Sequence, residues 1–250
     1  MDALKASDDQ RRALATLSQL IIDAGLEAHA AQIAAAARPS IMLTTRKAVR
    51  ADLAVAASRL GGEPDLAIGS AWPEVNGAPL PFLAQIRLED VFAHDAQRLL
   101  PPAGLLSFFA KDLDCGHVRF EADVSKLARR PLPEAIEDFD RIFAWGFEVR
   151  GEVSIPPAGR EGAPDDGRYI DLPFELSEAL EHGFSSHQLL GYLEDPDEPR
   201  QSPGLELLLA INSDDKAGLN FGDSMRQYFY LDRARLLARD FSAVIVTAGV

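Results

Sequence analysis

The chain has 250 residues and a formal net charge of −14 at pH 7, from 39 acidic and 25 basic side chains. This acidity argues against a nucleic-acid binder, which needs a basic surface, and against docking on an anionic membrane. A basic protein or a small molecule is therefore the expected partner. The single cysteine, Cys115, rules out an internal disulfide. A single cysteine is typical of a reducing compartment, and the N-terminus lacks an apolar run. Together these two features predict a cytoplasmic protein.

The first predicted elements are helices. Ser7 and Gln10 have the spacing of a capping box, and apolar residues recur at helical spacing up to Ile21. A second helix is predicted over residues 27–37. It is expected to end there because Pro39 disfavours a helical conformation at the residue before it. Residues 1–38 therefore form a predicted N-terminal helical segment. A strand is predicted at residues 40–45.

The middle of the chain predicts short elements separated by turns. Residues 47–60 predict a loop and a short helix, and residues 61–81 predict turns. Residues 80–88 alternate apolar and other side chains with period two, which indicates a strand with one buried face. A helix over residues 89–99 follows. Strands are then predicted at residues 105–110 and 117–122.

The remainder of the chain predicts mainly strands. Residues 147–155 alternate except at Gly151, where we expect a bulge or a close backbone contact. A short helix carries Leu176 and Leu180. The last predicted elements are strands 205–211 and 228–231, a helix at 233–240, and a buried strand at 241–247. Because neighbouring strands join through short turns, we expect an α+β fold with a mixed or mostly antiparallel sheet and peripheral helices.

Two parts of the chain resemble each other in order and spacing. Residues 62–65, 82–86 and 107–109 parallel residues 191–194, 207–211 and 228–230, at an offset of roughly half the chain. This predicts an internal duplication of a strand-turn-strand unit, with pseudo-repeats at about 59–122 and 184–250. The alternative is that apolar strands are similar by chance.

Several longer motifs are shared with a known family. They are a Gly-Gly-x-Pro-x-Leu turn at 61–66, Trp72-Pro73, and the stretches at 77–86, 100–109, 187–192, 219–223 and 240–242. On these motifs the chain resembles the YwqG-like family, a bacterial domain of unknown function, over a domain at 39–250. The resemblance implies one compact α+β protein with no established activity. Leu193, Ala210 and Met225 depart from the family pattern, so any family site that uses those positions is altered here.

No local motif predicts catalysis. The chain lacks a Gly-x-Ser-x-Gly elbow, a His-Glu-x-x-His helix and a phosphate-binding glycine loop. We therefore predict no catalytic residue, no cofactor and no metal. Candidate ligand-binding residues lie beside glycine-rich turns, where loops often carry function; they are Trp72, Gln85, His187, Tyr192, Asp214 and Asp223.

Gln85 has two interpretations. It is either a hydrogen-bond donor in a pocket or a partner of a neighbouring loop backbone, and we favour the second. Trp72 is interpreted as a packing anchor, and Asp223 as a turn residue.

Three functional hypotheses remain open at the level of sequence. The preferred one is a non-enzymatic binding or protein-interaction module that neutralises a basic partner, in the way that immunity proteins do. The second is an enzyme whose site assembles across the two halves in a deep pocket, with at least two of Gln85, His187, Asp214 and Asp223. The third is a small-ligand binder at the junction of the halves.

Overall fold

A ten-stranded antiparallel sheet forms the scaffold of the protein. The structure, a computed structural model, describes residues 7–111, 115–137, 141–182, 186–193, 204–222 and 226–249. The α-helices are α1 (Asp8–Asp23), α2 (Ala30–Ala36), α3 (Leu88–Val91), α4 (Leu172–Ala179) and α5 (Arg233–Leu237). The strands are β1 (Arg38–Lys47), β2 (Arg59–Leu60), β3 (Asp65–Ala67), β4 (Glu74–Val75), β5 (Ala78–Pro79), β6 (Phe82–Arg87), β7 (Leu105–Lys111), β8 (Cys115–Glu121), β9 (Leu127–Arg129), β10 (Trp145–Ser154), β11 (Ser186–Leu189), β12 (Leu205–Asn212), β13 (Arg226–Asp232) and β14 (Ile245–Gly249).

The long strands β1 and β10 lie at the centre of this sheet. The strand order is β14-β13-β12-β11-β1-β10-β2-β6-β7-β8, and every pair is antiparallel. Outward from the centre, one side carries β2, β6, β7 and β8, and the other carries β11 to β14. In both directions the strands follow chain order. The predicted α+β class with a mostly antiparallel sheet is confirmed.

The sheet curves until its two edges meet. A Cβ placed on Gly116 of β8 would overlap the Val246 side chain of β14. Inside the curve, the rings of Phe108 on β7 and Phe229 on β13 lie 5.2 Å apart between centroids, in an edge-on arrangement. The main core therefore receives side chains from both halves of the chain.

The helices α1, α2 and α4 cover the outer face near β10. Helix α1 begins at the predicted capping box, where Gln10 donates its backbone N–H to Ser7 Oγ at 3.2 Å. Its buried residues Ala13, Leu17 and Ile21 follow helical spacing. Leu17 and Ile21 pack in a second core with Tyr169 and Leu172, which includes α4. The helices are thus peripheral, as predicted.

Two predicted helices are wrong. Residues 47–60 form turns and the short strand β2 rather than a loop and a helix. In the segment 89–99, only residues 89–91, the last three of α3, are α-helical. There Asp95 is fully buried and accepts the Leu100 N–H at 2.7 Å, and Arg98 has φ of 54°. Such local side-chain bonds to the backbone compete with helix formation.

Three predictions about strands also need correction. The five residues from Phe82 to Ile86 are all buried, because the main core lies on one side of β6 and a second apolar cluster on the other. At Gly151 the pairing of β1 with β10 is regular, and the close approach comes from His94, which a Cβ would overlap. The last strand begins at Ile245, and only Val246 in it is buried.

The turns that follow β2 and β11 share an unusual backbone conformation. Gly61 and Gly62 have φ of 63° and 75°, and Leu190 and Gly191 have φ of 59° and 78°. These positions correspond in the pseudo-repeats that the sequence predicts. The duplication itself stays a prediction, as does the boundary between residues 1–38 and 39–250.

Replacing Gly191 by Ala should destabilise the protein through both strain and overlap. A Cβ there would lie 2.8 Å from Ser40 Cβ and would overlap Ser154 Oγ, which already accepts the Tyr192 N–H at 2.7 Å. A left-handed backbone costs a non-glycine residue roughly 1–2 kcal/mol, and overpacking adds about 1–3 kcal/mol. Urea unfolding measures the sum.

The matched control is Gly159→Ala. Gly159 has φ of 79°, but its Cβ would meet no atom within 4 Å. This variant should show only the backbone term. Equal losses in the two variants would contradict the close approach at Gly191.

Candidate functional site

Gln85 belongs to a buried polar network that holds a loop in place. Its Oε1 accepts the Asp65 N–H at 2.9 Å, and its Nε2 donates to Asp65 Oδ2 and to the Ala57 carbonyl, each at 2.8 Å. Asp65 also binds Arg59 at 3.0 Å and Arg129 at 2.6 Å. Burial raises the pKa of the Asp65 carboxyl, but these hydrogen bonds and cations outweigh it and hold that pKa below its usual value. Gln85 thus binds a loop backbone, the interpretation favoured from sequence.

Trp72 also serves packing. Its indole Nε1–H donates to the Leu80 carbonyl at 2.9 Å, and its ring meets Phe109 edge-on at 5.6 Å between centroids. With Leu66 and Phe82 these residues form the cluster that covers the outer face of β6 and β7. The stretch from β3 to β5 therefore covers the outer face of this half of the sheet.

His187 and Asp214 come together in the interior. His187 Nδ1 accepts the Asn212 N–H at 3.1 Å, and its ring meets Phe147 edge-on. Because Nδ1 is an acceptor, Nε2 carries the proton of the neutral imidazole. That Nε2 is buried without a hydrogen-bond partner among the described residues. Burial lowers the pKa of His187 to about 4, while the nearby Asp214 charge opposes the shift.

Asp214 anchors the turn after β12. Its carboxylate accepts hydrogen bonds from the Thr45 hydroxyl and, at 3.0 Å, from the Lys216 N–H. Its backbone N–H donates to the Leu219 carbonyl at 2.8 Å. Asp214 is fully buried, so its bonds stabilise the turn rather than face a ligand.

The other half of the sheet contains a similar pair. Ser58 Oγ accepts the Arg87 N–H at 2.8 Å and donates to Asp90 at 2.6 Å. Ser58 precedes β2 and Arg87 ends β6, whereas His187 lies in β11 and Asn212 ends β12. In both halves, therefore, a side chain that precedes the turn accepts the backbone N–H at the end of the next long strand, β6 or β12, which suits a structural role for His187.

Tyr192 is the sequence-predicted candidate that faces open space. It lines a groove of about 660 Å³ on the outer face of the second half, together with the end of α2 and parts of β12 and β13. Arg38 stacks on the Tyr192 ring, with its Cζ 4.4 Å from the ring centroid. Arg38 also binds Glu206 at 3.1 Å, and Arg233 binds the other carboxylate oxygen of Glu206 at 2.5 Å.

A second cavity of about 380 Å³ adjoins the groove along Leu193, which lines both. Ala210 contributes to its wall, so two of the three departures from the family pattern lie at these cavities. Ser177 and His182 line it as well. Gln188, which also lines it, donates to the Leu190 and Tyr192 carbonyls at 2.8 and 2.9 Å and so fixes the strip between the cavities.

The structure does not unite the predicted site residues into one pocket. Gln85, His187 and Asp214 are buried and line neither cavity, Trp72 packs, and only Tyr192 faces a groove. Asp223 and Met225 lie outside the described residues. Sequence reasoning missed the groove's charged residues; they are Arg38, Arg160, Glu161, Glu206 and Arg233. In the sequence, the one feature that could have pointed to this group is a charged residue, Glu206, within the otherwise apolar predicted strand 205–211.

The same described ranges bear on metal binding and on membrane-spanning helices. There, no group of three or more His, Cys, Asp and Glu side chains is placed to hold a metal ion. No helix in that part of the chain has the length and hydrophobicity needed to span a bilayer.

The fold and cavities define an α+β protein with a curved antiparallel sheet, whose edge strands touch, and a ligand-sized groove on one half. Residues 58–248 match the family described as Domain of unknown function (DUF1963), and the chain belongs to that family. The expectation of a domain of unknown function is therefore confirmed at this level, and the YwqG-like assignment stays a prediction. No curated protein matched the chain.

Gln85→Met should cost stability because it keeps the volume but removes the amide. The Asp65 N–H and the Arg59 guanidinium would lose an acceptor in a buried place. Each unsatisfied buried group costs about 1–3 kcal/mol. Urea unfolding checks this against Gln19→Met, whose amide binds Asp23 on the exposed face of α1. A loss below 1 kcal/mol at Gln85 would contradict a structural role.

The free energy of unfolding should fall as the pH drops from 7 to 4, because the His187 imidazole takes up a proton once the chain unfolds and exposes it. A folded pKa of about 4, below the ordinary 6.5, means that the unfolded chain binds more protons between these values. This contribution is complete above pH 6.5 and lost by pH 4, and amounts to about 3 kcal/mol.

The test replaces His187 by Asn, whose Oδ1 can still accept the Asn212 N–H. The free energy of unfolding of this variant should decline less between pH 7 and 4 than that of the wild type. Ser18→Ala, on the exposed face of α1 and without a titratable side chain, is the control and should keep the wild-type slope. Parallel slopes for all three proteins would refute a neutral buried His187.

Proposed function

We propose that this protein is a binding module whose groove takes a small anionic ligand. The proposal rests on one observation, which is that Arg38 and Arg233 are both held at the groove by the same carboxylate. The Glu206 side chain is 5% exposed, whereas Arg38 and Arg233 are 33% and 44% exposed. The acid is thus below the surface, and the cations face the groove.

The charges of this group favour an anion. Two guanidinium groups and one carboxylate sum to +1, and Arg160 and Glu161 on the rim cancel each other. A guanidinium has five N–H donors, and Glu206 takes one from each arginine. The planar guanidinium groups match a carboxylate or a phosphate, which arginine binds through two parallel hydrogen bonds.

The groove also offers apolar surface. The Tyr192 ring and the Leu193, Leu205 and Leu207 side chains line it beside the arginines. Its volume of about 660 Å³ lies within the usual range for small-molecule sites, roughly 300–1,000 Å³. The ligand class that fits is therefore a carboxylate or phosphate monoester with an apolar body.

A thermal-shift screen tests the proposal. Small carboxylates and phosphate monoesters with apolar substituents should raise the melting temperature, whereas amines of the same shape should not. A ligand at about a hundred times its Kd adds about 2.7 kcal/mol to stability. Arg233→Gln should reduce the affinity at least tenfold, since a charge-assisted pair is worth about 1.5–3 kcal/mol.

The matched control is Arg12→Gln. Arg12 pairs with Asp9 on the exposed face of α1 and lies outside the groove. It should leave ligand affinity unchanged in calorimetric titrations. A screen in which no anion shifts the melting temperature, or a ligand that binds Arg233→Gln as tightly as wild type, would reject the proposal.

A basic protein partner is the second candidate. It is supported by the net charge of −14, which would steer a cationic partner and make its association rate fall with added salt. This interaction would use the acidic surface. It is thus independent of Arg38 and Arg233, and groove variants would leave it intact.

A further inference from the structure

The cavity beside the groove contains a serine, a histidine and a glutamate in a hydrogen-bonded chain. Ser177 Oγ lies 2.8 Å from His182 Nδ1, and His182 Nε2 is hydrogen-bonded to Glu152 Oε2. We propose that Ser177 is a nucleophile activated by His182, and that this cavity is an acyl-transfer site for small esters. The inference goes beyond ligand binding in the groove and does not depend on it.

The chain of hydrogen bonds allows one consistent placement of protons. When His182 is neutral, its Nε2–H donates to the Glu152 carboxylate, so Nδ1 is free to accept the Ser177 hydroxyl proton. The other oxygen of Glu152 accepts from Arg150 Nε at 2.7 Å. A nucleophile, a base and a group that orients the base are the three parts that nucleophilic catalysis requires.

The burial of these groups changes along the chain of hydrogen bonds. The Glu152 side chain is 2% exposed, and that of His182 is 16% exposed. Ser177 is half-buried and lines the cavity of about 380 Å³. The orienting acid is therefore shielded from water, which strengthens its interaction with the histidine, and the hydroxyl is within reach of a ligand.

The supporting elements come from distant parts of the chain. Ser177 lies on α4, Glu152 lies on the central strand β10, and α4 packs on the core that includes Ile155. The His182 N–H donates to the Ser177 carbonyl at 3.1 Å, which fixes the loop after the helix. Ser177 and Glu152 are thus positioned by a helix and a strand, and His182 is tied to that helix through its backbone N–H, which provides the rigidity that a catalytic group requires.

The lining of the cavity suggests the substrate. Met42, Phe174 and Leu193 give apolar surface for a short acyl chain. The lining also carries one cation, Arg226, and one anion, Glu178, whose opposite charges give no preference for a charged substrate. Small uncharged esters are therefore the expected substrates.

The reaction is balanced with water as the only co-reactant. Ser177 Oγ attacks the ester carbonyl carbon while the hydroxyl proton moves to His182 Nδ1. The bond to the leaving alkoxide then breaks, and the alkoxide takes that proton and departs as an alcohol. Water, deprotonated by His182, attacks the acyl-serine, and the acid leaves as the serine regains its proton.

A fluorophosphonate probe tests the nucleophile directly. Ser177 Oγ should displace fluoride from phosphorus, and the adduct should map by mass spectrometry to Ser177. Ser177→Ala should abolish it. His182→Gln should slow labelling about 100-fold or more, the usual contribution of a general base. Ser18→Ala is the control, because Ser18 is an exposed serine of α1 that lies outside the cavity, and this variant should label at the wild-type rate.

Hydrolysis of p-nitrophenyl butyrate gives a second readout. Glu152→Gln keeps the shape of the positioning residue but removes its charge, so kcat should fall at least tenfold while KM stays within twofold. Circular dichroism confirms folding of each variant. Absence of a Ser177 adduct, a wild-type labelling rate in both His182→Gln and Glu152→Gln, or an unchanged kcat would overturn the proposal. Arg233→Gln should leave both readouts unchanged, which separates this site from the groove.

Discussion

The backbone ladder between β1 and β10 is the interaction on which the other features depend. Ten residues of each strand pair in continuous antiparallel register. β11 adds to the free edge of β1, and β2 adds to that of β10. Each half therefore extends outward from a strand contributed by the other part of the chain. Because both halves share this centre, their apolar faces meet in one core, and neither sheet edge is left fully open.

The two halves differ in what covers their outer faces. Over β6 and β7, the segment with Trp72 packs on Phe82 and Phe109 and leaves a closed apolar cluster. Over β12 and β13, the described residues leave the groove and the adjoining cavity. A closed face contributes stability, whereas a lined concave face can bind a molecule. Because of this asymmetry, both candidate sites lie on the second half.

Both cavities use a buried glutamate in the same physical way. Glu206 and Glu152 are nearly inaccessible; Glu206 holds Arg38 and Arg233 at the groove, and Glu152 holds His182 at the adjoining cavity. A carboxylate taken out of water is tolerated only when it is paired and hydrogen-bonded. The carboxylate also holds its arginine or histidine partners in fixed positions, so the remaining hydrogen-bond donors and acceptors of those partners are preorganised. Such preorganisation lowers the entropy lost on binding.

Short-range patterns in the sequence determined the capping box at Ser7, the strands β6 and β12, and the antiparallel class, because each depends on residues only a few positions apart. The helix predicted over residues 89–99 does not continue beyond α3, because the buried Asp95 carboxylate accepts a hydrogen bond from the Leu100 N–H of its own turn. Only the tertiary structure decided that Glu206 would meet Arg38, 168 residues away, and that Glu152 would meet His182. Those pairings follow from strand order and sheet curvature, which arise from the packing of the whole chain and are encoded in no local spacing.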